Sequence, residues 1–93
     1  MRTIKYTNHF KRDYKREKKS DNHKKLDNEL FSIVKLLAEN KFLPRNKYDH
    51  ALTGDWEDHR DCHIRPDLIL IYRKPNASIL ELVRLGSHSK LSL

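Results

Sequence analysis

Five consecutive apolar residues, "LILIY" at Leu68–Tyr72, constrain this chain more than any other stretch. A strand apolar at both parities has no face left for water, so it belongs in the middle of a covered sheet. The residues just before it are of the opposite kind. "WEDHRDCHIRPD", Trp56–Asp67, holds two histidines, three aspartates, two arginines, a glutamate and a cysteine. From Trp56 the pattern has period two. Trp56, Cys62 and Ile64 fall on one face with Asp58 and Arg60; Glu57, His59, Asp61, His63 and Arg65 fall on the other, which is wholly polar. "IRPD" then turns the chain into the central strand.

The remaining segments complete an order. "RTIKYT", residues 2–7, alternates and reads as a first strand, and Asn8 is placed to cap a helix carrying Phe10 and Tyr14 on one face. "SDN" at 20–22 reads as a turn between helices, after which Leu26, Leu30, Ile33, Val34 and Leu37 follow the spacing of an amphipathic helix. Residues 40–55 carry Asn, Pro and Gly punctuation and read as a long connecting loop. "SILELVRLG", 78–86, supplies a last strand before a short tail. The expected architecture is α+β, β-α-α-β-β-β with a possible short terminal helix, two helices packed on one face of a mostly antiparallel four-stranded sheet. Ninety-three residues make one domain, 1–93.

Charge narrows the partners. Twenty Lys and Arg against thirteen Asp and Glu leave a formal +7, which favours polyanions such as nucleic acid, or an acidic protein that masks the surface. The excess is lopsided: Lys11–Lys25 holds eight basic and three acidic residues, so Lys15, Lys18, Lys19 and Lys24 are candidates for a phosphate-contacting flank. No apolar run is long enough to cross a bilayer and no secretory signal heads the chain. The lone Cys62 has no disulfide partner, which fits a reducing, cytoplasmic setting.

Four ionisable residues lie where strands meet loops: His50, His63, Asp67 and His88. Zinc is disfavoured, because His59 and His63 are four apart on a strand and no Cys/His pair accompanies them; no cofactor is expected. Acid–base work on RNA suits the inventory better. RNA carries its own nucleophile, the 2′-hydroxyl, so a protein need supply only a base, an acid and cations for the phosphate. Histidine serves as either base or acid near neutrality. Arg84, Arg60 and Arg65 are candidate phosphate clamps.

These residues also carry a resemblance. D-H-x-L-x-G-x-W at 49–56, R-D-x-H-I-x-P-D-L at 60–68 and R-L-G-S-H at 84–88 are similar to the YafQ branch of the RelE/ParE toxin superfamily. The resemblance implies a bacterial toxin that cleaves messenger RNA on the ribosome and is held inactive in a complex with a cognate antitoxin. It implies an acid–base set of His50, His63, Asp67 and His88, with His88 as general acid, and Arg84 as a phosphate contact. Family members commonly carry an aromatic four positions after the last histidine, where this chain has Ser92. The alternatives are a non-enzymatic superfamily member acting by protein binding, like the ParE gyrase poisons, and a basic RNA-binding module without catalysis.

Overall fold

The computed structural model describes residues 1–20 and 23–93. Among them, β1 (Thr3–Tyr6), α1 (Asn8–Ser20) and α2 (His23–Ala38) are followed by β2 (His50–Ala51), β3 (Arg60–Arg65), β4 (Leu68–Asn76) and β5 (Ile79–Gly86). The sheet runs β1-β5-β4-β3-β2, with β1 parallel to β5 and the other neighbours antiparallel. The α+β class and element order are those expected, with β4 in the middle of the sheet. The number of strands is not: residues 40–55 add the two-residue β2 at the edge, between 3₁₀ turns at Arg45–Lys47 and Gly54–Trp56. After Gly86 the chain makes turns rather than a helix.

Both helices cover one face. The α2 stripe of Leu26, Leu30, Ile33, Val34 and Leu37 is buried against Cys62, Ile64, Leu70, Tyr72 and Leu82. Fully burying one such side chain contributes about 1.5–3 kcal/mol, so this layer carries most of the stability. The other face has a smaller cluster, Ile69, Ile71 and Leu91, with Leu52, Trp56 and Val83 packed against it. Leu91 is buried there, which ties the tail to the sheet, and Ser92 beside it is exposed.

Local details depart from simple alternation. Thr7, not Asn8, caps α1: its Oγ1 accepts the Phe10 N–H at 3.0 Å and donates to the Val83 carbonyl at 2.7 Å. Asp21 and Asn22, most of the "SDN" turn, lie outside the described residues. Trp56 ends a 3₁₀ turn and packs on the open face rather than beside Cys62, because β3 begins only at Arg60, after a positive φ at Asp58. A register shift between His63 and Arg65 then carries Arg65 round to the helix side, where its Nε and Nη2 meet Glu29 of α2 at 2.9 and 2.7 Å.

Candidate active site

The open face gathers the titratable residues. On β3, Asp61 pairs with Ile71 and His63 with Ile69, so both side chains project away from the helices. The β3–β4 turn supplies Asp67, the segment after β5 supplies His88, and β2 lays His50 opposite Asp61. The His63 and His88 rings meet edge-on with centroids 5.3 Å apart, and Tyr48 closes on His63 from the other side at 5.1 Å.

Asp67 orients His88. One carboxylate oxygen accepts the His88 backbone N–H at 3.0 Å and its ring Nδ1–H at 2.7 Å. The backbone bond first, then the ring bond, holds the Asp67 carboxyl below its usual range. With Nδ1 committed, Nε2 of His88 is the nitrogen left for a substrate.

His50 is fixed differently. Its Nδ1 lies 2.8 Å from the Tyr48 carbonyl and 3.0 Å from Asp61 Oδ1. A carbonyl oxygen can only accept, so it takes the Nδ1 hydrogen and leaves Nε2 with the lone pair. The Asp61 contact is then a close approach outside hydrogen-bond geometry: Oδ1 is buried with no hydrogen-bond partner among the described residues. Burial pushes the Asp61 carboxyl above its usual range, opposed by the charges that His50, His63 and His88 can carry nearby. Asp61 is therefore the electrostatic centre of the cluster. In the sequence nothing distinguishes Asp61 from Asp58 in a charged run; its shared parity with His63 is the available signal.

The candidate arginines are each held by a carboxylate. The Arg84 guanidinium is held by buried Asp13 of α1, Nε at 2.6 Å. Asp13 also accepts the Leu85 N–H at 3.0 Å and Arg16 Nη1 at 2.9 Å. Arg60 meets Asp49 at 3.2 Å, Arg65 meets Glu29, and Lys18 meets Asp27 at 3.2 Å. Lys15 and Lys19 are exposed on α1, and Lys24 stands in the first turn of α2 with its side chain outside the described residues. Burial raises the Cys62 thiol's affinity for its proton, which unsuits it as a nucleophile. Among the described residues no three His, Cys, Asp or Glu side chains converge as metal ligands would, and no helix is long and apolar enough to cross a membrane.

The comparisons with known proteins agree with this architecture. A family model described as "Bacterial toxin of type II toxin-antitoxin system, YafQ" matches residues 2–93. The "mRNA interferase toxin YafQ" of Escherichia coli K12 is 37% identical over 92 residues, 98% of this chain and 96% of that one. Among solved structures, the E. coli DinJ–YafQ complex superposes with a TM-score of 0.83 at 37% identity, covering 98% of each chain. A metal-bound toxin from Helicobacter pylori gives 0.85 at 39% identity, covering 98% of this chain and 99% of that one. The fold and the matching model define a small bacterial toxin of a type II toxin–antitoxin system. Within that class, the chain belongs to the YafQ family.

Proposed function

We propose that this chain is an endoribonuclease toxin that cleaves messenger RNA on the ribosome, in the cytoplasm, without a catalytic metal, and is held in check by a cognate antitoxin. The names of its relatives support the activity, one as an mRNA interferase and one in complex with DinJ. The observation that carries the mechanism is the Asp67–His88 pair set edge-on to His63 beside buried Asp61.

In this reading the substrate's 2′-hydroxyl attacks the adjacent phosphorus. His50, whose Nε2 holds the lone pair, takes the 2′-hydroxyl proton. His88 in its imidazolium form donates the Nε2 proton to the departing 5′-oxygen, with Asp67 accepting the Nδ1 hydrogen and holding the ring in place. The P–O5′ bond breaks and leaves a 2′,3′-cyclic phosphate and a 5′-hydroxyl. His63, between Tyr48 and His88, contacts the phosphate, and Arg84, anchored by Asp13, supplies a further cation. Asp61 sets the field and the spacing of the three imidazoles from behind. The reaction balances on these groups alone, since the proton that His50 gains and the one that His88 loses exchange through water afterwards.

End mapping tests this reading. Messages recovered after induction should carry new 5′-hydroxyl ends, and His88→Gln at equal expression should lower their formation by about 10²–10⁴-fold, the range for a positioned acid or base. New ends bearing 5′-phosphate, or a His88→Gln chain as active as the parent, would overturn it.

A further inference from the structure

Round the β3 edge from the histidines lies a cavity of about 540 Å³ whose charge the mechanism above does not use. Lys41, Arg45, Arg60 and Lys74 line it, against one carboxylate among its described lining residues, Asp49. That carboxylate is already occupied, accepting the Tyr72 hydroxyl at 2.5 Å and Arg60 Nε at 3.2 Å. Lys74 is partly buried at the end of β4, and burial together with neighbouring Arg2 and Arg60 pushes its ammonium below the usual lysine range. Cations crowded this way repel one another in the free protein, and an anion placed among them removes the repulsion.

Two aromatics stand at the mouth. Phe42 is 99% exposed and Tyr48 63% exposed, and both line the cavity. Tyr48 is also the residue that packs on His63, so it joins the cavity to the candidate active site. A single strand with its reacting phosphate among the histidines would pass over Tyr48 to reach the basic walls. Exposed aromatics beside cations are how proteins hold unpaired bases.

We propose that this cavity is the subsite for a nucleotide flanking the cleaved bond, with its phosphate between Lys74 and Arg60 and its base against Phe42 or Tyr48. The inference rests on the nuclease reading, and the continuity through Tyr48 is what favours RNA over an acidic segment of a protein partner.

The experiment uses the full His88→Gln chain bound to ribosomes programmed with a message carrying one 4-thiouridine, at the cleavage position or one or two positions to either side. After irradiation, crosslinked peptides are identified. The cleavage-position probe should reach the peptides of His50 or His63, and a flanking probe should reach Phe42 or Tyr48. Cleavage-position crosslinks without any flanking crosslink to residues 41–48 would overturn this inference alone. No crosslink to the histidine peptides from any position would overturn the nuclease reading with it. In the active chain, Phe42→Ala should raise KM about five- to a hundredfold, the range of a lost base stack, and Lys74→Gln should also raise KM, each with kcat within about twofold. Phe42 is too exposed for its removal to disturb the fold. Unchanged KM with weakened antitoxin binding would assign the cavity to an acidic protein segment instead and overturn the proposal.

Discussion

Asp13 and Asp61 are almost equally hidden, at 3% and 4% exposure, yet they sit in opposite electrostatic conditions. At the α1–β5 junction, Asp13 accepts hydrogen bonds from Arg84, Arg16 and the Leu85 backbone. Burial alone would raise its carboxyl, but these donors outweigh it and hold the carboxyl below the usual range. At the β2–β3 edge, Asp61 has one buried oxygen without a donor, and burial raises its carboxyl. A fully satisfied buried carboxylate fastens two elements together. An unsatisfied one is a cost, and in the mechanism proposed above its place among three imidazoles is what it serves.

Substitution should separate the two sites most sharply by stability. Asp13→Ala leaves the buried Leu85 N–H without its acceptor and the Arg84 guanidinium without its carboxylate, while Arg16 keeps Glu17 and the Leu85 carbonyl. Thermal melts should show a loss of about 2–4 kcal/mol, trimmed from the value for a wholly buried pair because Arg16 and Arg84 keep some solvent. A loss under about 0.5 kcal/mol would reduce the junction to an ordinary surface pair.

Asp61→Asn should act with the opposite sign. Removing a buried, under-solvated charge should raise Tm by about 4–8 °C, as about 1 kcal/mol does in a domain of this size. Cleavage should fall by about 10²-fold, since the imidazoles lose the group that spaces them. A purely structural role would lower both together.

Acid sharpens the same contrast. The folded Asp13 carboxyl is lowered, so its contribution is present above the ordinary carboxylate value near pH 4 and is lost as pH falls through its folded value. The folded Asp61 carboxyl is raised, so the fold loses stability as pH rises from about 4 through that raised value. Stability of the parent minus that of Asp61→Asn, measured by denaturant titration from pH 3 to pH 7, should therefore decline with rising pH. A difference that is flat or climbs would contradict the assignment. The smallest effect is expected on α1: replacing Lys15 and Lys19 with Gln should flatten the salt dependence of ribosome binding by roughly 0.7–0.9 per phosphate contact in the log–log slope. An unchanged slope would make that helix a solvated face.

Much of this was legible in the residues. The apolar run at Leu68–Tyr72 places the central strand, the α2 stripe places its cover, and strand parity puts His63 on the open face. Pro66–Asp67 as a turn, and Gly86 as a strand end, carry Asp67 and His88 to the same rim. What escaped depends on register and on distant partners. Arg65 changes face because of a bulge that alternation cannot reveal. Asp13 looks like one of many charges on a basic helix; only β5, some seventy residues away, buries it. The pairing of β2 with β3, two residues long, is what sets His50 against Asp61, and a segment that short has no periodicity to read.

In the proposed mechanism these side chains activate the substrate's own 2′-hydroxyl. The most direct test is a message with a single 2′-deoxy nucleotide at the cleavage position, programmed into ribosomes and compared with its all-ribose parent at saturating toxin. The account predicts cleavage of the all-ribose message to a 5′-hydroxyl end and no cut at the deoxy position, however long the incubation. Cleavage of both at the same rate would mean that water is the nucleophile, and would contradict it.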